Sequence, residues 1–426
     1  MIRILSTAEV SNEEIFSRNV PLDDVSDIVA GIIENVRQNG DAALFEYTRN
    51  FDHADLSELA VSEEEIREAM DQVGEDFLRI LKRAASNITK FHEKQKRNSF
   101  IINDEPGIVI GQKVIPLERV GLYVPGGTAA YPSTVLMDSI PARIAGCREV
   151  VITTPPGSDG SVAPEILAAA SVAGVDRIYK VGGAQAVAAL AYGTETIKKV
   201  DKIVGPGNAF VAEAKKQVFG QVSIDMIAGP SEILVLADEA SDPVNVAADL
   251  LSQAEHDKNA SAVLVTDSMA LAKAVQAEIE RQLKLLEREE IARASIENNG
   301  KIIVADDLKQ AVDIANEIAP EHLELCVDDP FDYLDSIKNA GSVFMGRYAA
   351  EALGDYLAGP NHTLPTSGTA RFFSPLSVDD FVKKSQYTYY SKEAFQGVAE
   401  DIAAFARREG LTAHARSAEV RIGEKR

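Results

Sequence analysis

Four of the six histidines lie in the second half of the chain, among amide and carboxylate side chains that can bind metals or move protons. Gln253 and His256 are spaced i and i+3 in a segment with a helical pattern, so they share one helix face and could bind one ion. An isolated Gln-x-x-His pair is more often an ordinary polar helix end. Spacing alone therefore makes this pair a candidate metal site and no more.

Glu321 and His322 stand where a helical pattern ends and a strand begins. In that strand Leu323, Leu325 and Val327 alternate onto one face, which leaves His322 on the opposite face. An adjacent carboxylate and imidazole can work as a general acid–base pair. A strand-edge histidine beside a surface carboxylate fits the same pattern equally well.

Two further segments, Gly354-Asp355-Tyr356 and Gly359-Pro360-Asn361-His362, lie in a loop rich in glycine and proline, where functional residues are common. By contrast, His53 in a loop and His92 on a charged helix are predicted to be solvated surface residues. These residues together predict an enzyme with an acid–base histidine and a site for a hard or borderline divalent ion. They do not define a substrate.

Glycine-rich turns follow four β-rich segments between about residues 120 and 232. They are Pro125-Gly126-Gly127, Pro155-Pro156-Gly157, Gly182-Gly183-Ala184-Gln185 and Gly205-Pro206-Gly207-Asn208. Backbone N–H groups at such turns, next to helix N-termini, can hold a pyrophosphate. None of the turns has the G-x-G-x-x-G spacing, and the chain contains no P-loop motif. Pattern alone therefore supports a nucleotide site and an ordinary turn about equally.

The elements that must position these residues follow a repeated strand–helix order. The first series covers 120–232 and the second begins at Glu232 and continues to Met345, with helical patterns at 243–257, 268–287 and 308–318. This alternation predicts an α/β fold with two Rossmann-like but incomplete parallel-sheet βα domains. A helical N-terminal region, with a Ser62–Glu65 capping box, and a C-terminal helical tail complete the predicted fold.

The same texture predicts four parts of the chain. Residues 1–20 form an N-terminal arm, and residues 120–232 form an α/β domain with the candidate nucleotide site. Residues 21–119 plus 233–375 form a discontinuous α/β domain that carries the candidate metal and acid–base residues. Residues 376–426 form a tail, for which a partner subunit is one candidate packing surface.

Composition excludes several classes of partner. The 66 acidic and 43 basic residues give a formal charge of −23, which repels phosphate backbones and anionic lipids, and the chain has no Trp. We therefore expect neither nucleic acid nor a membrane as a partner. Two cysteines are too few for a disulfide framework, and Met1–Ser6 lacks a long apolar segment, so a reducing cytoplasm is the expected compartment. Cys147 and Cys326 are predicted to be buried small hydrophobic residues.

Ordered motifs along nearly the whole chain resemble those of the histidinol dehydrogenase family. They are Val120–Gly127, Pro141–Cys147, Val181–Ala186, Gly205–Val211, Asp225–Glu232, Leu250–His256, Pro320–Leu323, Asn361–Thr366 and Leu411–His414. The resemblance is weakest before about Pro21. Any one motif could arise by chance, whereas the ordered set could hardly do so.

The resemblance implies one zinc ion per subunit, NAD, and a specific set of site residues. The zinc ligands would be Gln253, His256, Asp355 and His414, a set that suits a borderline divalent ion. Glu321 and His322 would be the acid–base residues. Tyr123, Gln185 and Asn208 would bind NAD. The substrate, histidinol, would contact Ser231, Gln253, His256, His322, Asp355, Glu409 and His414.

The implied reaction is the four-electron oxidation of L-histidinol to L-histidine through the aldehyde, at the end of histidine biosynthesis, in a domain-swapped homodimer. Two alternatives from other classes are a zinc-dependent amide hydrolase, in which Glu321 activates a metal-bound water, and a non-catalytic two-lobed protein that binds a small ligand. Gln253 is an unusual ligand for the first. The second, in its common periplasmic form, would need an export signal.

Overall fold

A computed structural model describes residues 1–18, 24–126 and 130–423. Gly127 of the first glycine-rich turn lies outside these ranges, as do Asn19 and Val20 of the predicted arm. The chain divides into two compact units, one of residues 1–95 and 117–381, the other of residues 96–116 and 382–426. The boundaries of these two units differ in kind from those of the four predicted parts, which describe domains by function. The predicted boundaries stay a prediction.

The strands of the first unit are β1 (Arg3–Ser6), β4 (Arg119–Tyr123), β5 (Glu149–Thr154), β6 (Arg177–Lys180), β7 (Lys202–Val204), β8 (Ser223–Ile224), β9 (Glu232–Ala237), β10 (Ser261–Thr266), β11 (Lys301–Val304), β12 (His322–Cys326) and β13 (Ser342–Met345). Those of the second unit are β2 (Phe100–Ile102), β3 (Ile108–Pro116) and β14 (Val382–Tyr390).

The helices of the first unit are α1 (Asn12–Phe16), α2 (Ser26–Asn39), α3 (Asp41–Tyr47), α4 (Glu63–His92), α5 (Pro132–Ala145), α6 (Pro164–Ala173), α7 (Gly183–Tyr192), α8 (Ala209–Val218), α9 (Pro243–Ala254), α10 (Met269–Leu283), α11 (Glu289–Asn299), α12 (Leu308–Ile318), α13 (Phe331–Leu334) and α14 (Glu351–Tyr356). Those of the second unit are α15 (Lys392–Gln396), α16 (Ala399–Arg408) and α17 (Thr412–Glu419). No helix of the described ranges is long and apolar enough to cross a membrane.

The first βα series forms a five-stranded parallel sheet with the order β6-β5-β4-β7-β8. The chain runs outward from β4 through β5 to β6 and then returns to place β7 on the other side of β4. The strand order therefore reverses between β4 and β7, which in open α/β sheets is where ligands bind, at the carboxyl ends of the strands. The predicted parallel sheet is confirmed.

The second series forms a six-stranded parallel sheet with the order β1-β11-β10-β9-β12-β13. Its central strands are apolar and buried on both faces, as covered parallel strands must be. Leu323, Leu325 and Val327 pack into one core layer, so the predicted side for these three residues is confirmed. Cys326 lies in the layer on the other face, and both cysteines are buried as predicted.

An antiparallel sheet with the order β14-β3-β2 organises the second unit. The helices of the C-terminal tail were predicted from the sequence, but this sheet was not. Every residue of β14 except Val382 is exposed, so its sequence lacks the alternation that marks a half-buried strand.

The N-terminal region is helical as predicted, apart from the short strand β1. Ser62 and Glu65 form the expected capping box at the start of α4. That helix ends at His92. The prediction that His92 is a solvated residue is wrong: its ring is fully buried, and Nδ1 lies 2.7 Å from Oε1 of Gln95. His53 is exposed, as predicted.

Candidate active site

Gln253 and His256 lie at the carboxyl end of α9 in the first unit. Pro243 occupies the first turn of this helix, and Asp242 caps it by accepting a hydrogen bond from Val244 N–H (2.8 Å). Both polar atoms of the Gln253 amide are buried and make no hydrogen bond of standard geometry, although the amide lies close enough to Glu351 to lower the pKa of that carboxyl. Buried polar groups are normally bonded, so an amide in this state is a strong candidate for a ligand.

The backbone of one residue, Glu232, holds both predicted acid–base residues. The N–H of Glu232, at the start of β9, donates a hydrogen bond to Oε2 of Glu321 (2.9 Å), and its carbonyl oxygen accepts one from Nδ1 of His322 (3.0 Å). Because a carbonyl can only accept, Nδ1 carries the proton and Nε2 carries the free lone pair. The neighbouring strands β9 and β12 thus fix the tautomer of His322 and the orientation of Glu321.

The pKa values of Glu321 and His322 are both shifted from their usual ranges. Burial, above all, raises the pKa of the Glu321 carboxyl well above its usual range, and the nearby carboxylates of Glu232 and Asp355 add to the rise. Burial lowers the pKa of His322 to about 4, against the opposing effect of Asp355. His322 is therefore neutral at pH 7 and can accept a proton at Nε2.

Asp355, on α14, pairs with His362 in the loop that follows. Nδ1 of His362 lies 3.2 Å from Oδ1 of Asp355. This contact outweighs burial: it raises the pKa of His362 and lowers that of Asp355. Nε2 of His362 lies 3.2 Å from Oγ1 of Thr134, in the first turn of α5. The His362 loop therefore lies next to the helix that follows β4, which links the two parallel sheets at the site.

Glu351 is a member of the site that sequence analysis missed. Its Oε1 lies 3.7 Å from Nε2 of His322, and ligand atoms of His322, Glu351 and Asp355 all lie within 4.8 Å of one another. Burial and the Asp355 carboxylate raise the pKa of Glu351 to about 8. The available signal was its position four residues before Asp355 on one helix face.

Ser231 and His256 complete this side of the site. Nδ1 of His256 lies 3.4 Å from Oγ of Ser231. Burial lowers the pKa of His256, and the charge of the Asp355 carboxylate opposes this effect. The first unit thus contains Gln253, His256 and Asp355, three of the four predicted zinc ligands.

A cavity of about 210 Å³ opens beside these groups. Polar side chains at its wall are His322, Ser342, Asp355, Asn361 and His362, and apolar ones include Phe344 and Leu364. An apolar cavity with a few convergent polar groups is typical of a site for a small molecule.

The three predicted NAD residues lie at the carboxyl edge of the five-stranded sheet. Tyr123 ends β4, and its hydroxyl accepts a hydrogen bond from Gly183 N–H (3.1 Å), two residues before Gln185 in the first turn of α7. Asn208 caps α8 by accepting hydrogen bonds from Phe210 and Val211 N–H (both 3.1 Å). Tyr123 and Asn208 thus flank the point where the strand order reverses.

Glu409 and His414 belong to the second unit. Glu409 follows α16, and His414 lies on α17; both side chains are exposed. Their predicted roles as substrate and zinc contacts stay a prediction.

Comparison of the whole chain with known proteins identifies its family. A sequence model described as Histidinol dehydrogenase matches residues 17–422. This chain belongs to the histidinol dehydrogenase family. It is 55% identical to the Histidinol dehydrogenase of Clostridium acetobutylicum over 99% of both chains, and 58% identical to that of Geobacillus kaustophilus over 92% of this chain and 93% of the relative.

A solved structure shares the fold of this family member throughout. The crystal structure of histidinol dehydrogenase from Elizabethkingia anophelis superposes with a TM-score of 0.94 at 40% identity, covering 99% of this chain and 98% of that one. The family resemblance drawn from the motifs is confirmed.

Proposed function

We propose that this chain oxidises L-histidinol to L-histidine in two steps, each with one NAD, at the end of histidine biosynthesis in the cytoplasm. The observation that carries the proposal is that the backbone of Glu232 holds Glu321 and His322, and that His322 and Asp355 line one cavity. A reducing compartment suits the two free cysteines.

His322 and Glu321 divide the proton transfers between them. Nε2 of His322 takes the hydroxyl proton as hydride leaves the alcohol carbon, which forms the aldehyde. Glu321 removes a proton from water as it adds to the aldehyde. Nε2 of His322 then takes a hydroxyl proton of the hydrate as the second hydride leaves, which gives the acid. The depressed pKa of His322 keeps its Nε2 unprotonated at neutral pH, so that it can accept a proton, and the raised pKa of Glu321 makes its carboxylate a stronger base toward water.

The residues around Asp355 fit a zinc ion. The Gln253 amide makes no standard hydrogen bond, His256 is neutral, and Asp355 is ionised, so the donors have the charges that a borderline cation requires. Gln253, His256 and Asp355 would hold the ion, with His414 as the fourth ligand. When bound, zinc would seat the imidazole and amino nitrogens of the substrate.

NAD fits the glycine-rich edge of the five-stranded sheet. A Cβ at Gly126 would lie 2.9 Å from Cγ of Pro155, and one at Gly182 would lie 2.6 Å from Cβ of the same proline, so the turns approach one another as only glycine allows. Tyr123, Gln185 and Asn208 would contact the cofactor there. NAD supplies hydride acceptance, and the chain binds and orients it.

The assembly that we propose is a domain-swapped homodimer in which the tail carries Glu409 and His414 to the partner's site. Exposure of both side chains supports a role beyond packing within their own unit. A closed two-fold dimer would provide two equivalent sites.

Turnover with a defined stoichiometry tests the function. Histidinol added to the protein with excess NAD is expected to yield two NADH per histidinol consumed, read from absorbance, together with histidine. A zinc amide hydrolase would release no NADH, and a binding protein would show histidinol binding without turnover. Either result would contradict the proposal.

Removal of the metal distinguishes the role of the proposed zinc ligands from that of the proposed NAD-binding residues. Treatment with a chelator is expected to abolish turnover while NAD affinity and folding change little, because the proposed ligands lie outside the five-stranded sheet. Restoration by added zinc is the control. If chelation unfolds the protein instead, the ion is structural and this division of roles is wrong; circular dichroism and NAD titration distinguish the two outcomes.

A further inference from the structure

A buried ion pair binds the backbone of Gly205, the first residue of the Gly205–Asn208 turn. Lys215 on α8 and Asp225 after β8 form an ion pair whose side chains are only 2% and 1% exposed. Nζ of Lys215 donates a hydrogen bond to the carbonyl oxygen of Gly205 (2.9 Å), and the N–H of Gly205 donates one to Oδ2 of Asp225 (2.8 Å). Opposite members of one ion pair therefore bind both backbone polar groups of Gly205.

Stability alone is a poor explanation for such a pair. Taking two charges out of water costs about as much as their attraction returns, so apolar residues of similar size often give an equally stable protein. Lys215 also reaches back from the body of α8 to the turn that precedes its own helix. The geometry fixes the position of that turn.

The position matters because Gly205 passes directly against the end of β4. Its φ of +113° lies in the region that favours glycine, and a side chain here would collide with the carbonyl oxygen of Tyr123. Three residues later, Asn208 caps α8. The ion pair thus sets the spacing between Tyr123 and Asn208, on the two sides of the strand-order reversal.

We propose that Lys215 and Asp225 are positioning residues for the NAD site. They hold the Gly205–Asn208 turn at the distance from Tyr123 that a bound dinucleotide requires, and they touch neither NAD nor the reacting atoms. This inference rests on the proposed function only in naming NAD as the ligand. Binding of NAD without histidinol therefore tests it separately from catalysis.

The experiment compares NAD affinity, measured by calorimetry, in the full-length protein and three variants. Lys215→Met removes the donor to Gly205 and leaves Asp225 buried without its partner. The double variant Lys215→Met/Asp225→Asn also removes that isolated charge and keeps an acceptor for the Gly205 N–H, so it is expected to fold while the turn lacks the hydrogen bond from Lys215. Lys202→Met is the matched control, because Lys202 is also buried and ion-paired, with Asp380, but begins β7 at the opposite edge of the sheet.

NAD Kd is expected to rise about tenfold or more in the double variant, since small misplacements of binding groups cost affinity. The NAD Kd of Lys202→Met should equal that of the wild type. Histidinol affinity should stay within about twofold of the wild-type value in every folded variant. A double variant that folds and binds NAD normally, or one that cannot fold at all, would overturn the positioning role.

The wild-type results separate this proposal from the proposed function. NAD binding without oxidation of histidinol would remove the proposed function and leave the affinity comparison valid. A wild type that binds no NAD would overturn both.

Discussion

His322→Asn is expected to slow both oxidations by about 10²–10⁴-fold, the range that a positioned general base contributes. Glu321→Gln should slow oxidation of the aldehyde far more than oxidation of the alcohol, because only the second step needs an activated water. The physical basis is the backbone of Glu232, whose N–H and carbonyl oxygen give each side chain one orientation and leave Nε2 of His322 free. Single-turnover rates with histidinol and with histidinal, measured separately, resolve the two steps.

Glu317→Gln provides the matched control for the glutamate substitution. Glu317 lies on α12, four residues before Glu321, but its side chain is exposed and pairs with Arg371. Both half-reactions should keep their wild-type rates in this variant. Equal losses in the two half-reactions of Glu321→Gln would remove its role as the base that activates water.

The parallel sheets were predictable because their sequence signals are local. Strands such as Ser261–Thr266 and Lys202–Val204 are short, largely buried segments bounded by turn residues, and both lie within the two predicted strand–helix series. The antiparallel sheet of the second unit was not predictable in this way. β3 and β14 pair across about 270 residues of chain, and the outer strand is almost wholly exposed.

The candidate site could be predicted only in part from the types and spacing of its residues. Glu321 and His322 were found from their place at a strand start, but the group that orients them is the backbone of Glu232, which carries no sequence signal. Glu351 was missed because its role depends on α14 packing beside β12. His414 was named by family resemblance alone, since spacing offers no link between α17 and the other proposed ligands.

Exchange of the tail between subunits predicts a gain of activity from two inactive proteins. His322→Ala and His414→Ala should each be nearly inactive, the first for lack of a base and the second for lack of a zinc ligand. In a mixed dimer with an exchanged tail, one site receives intact His322 from one chain and intact His414 from the other, while the second site carries both lesions. Mixed dimers should therefore recover about half of the wild-type activity per dimer.

The opposite arrangement gives a different result from the same mixture. If His414 serves its own chain, every site in the mixed dimer keeps one lesion and no activity returns. Subunit exchange must be verified with differently tagged chains, and a mixture of His322→Ala with Glu321→Gln is the matched control. Those two residues are neighbours on one chain, so this mixture is expected to form no more histidine than the two variants form separately, under either arrangement. Verified heterodimers of His322→Ala and His414→Ala that remain inactive would show that the tail does not supply the partner's zinc ligand.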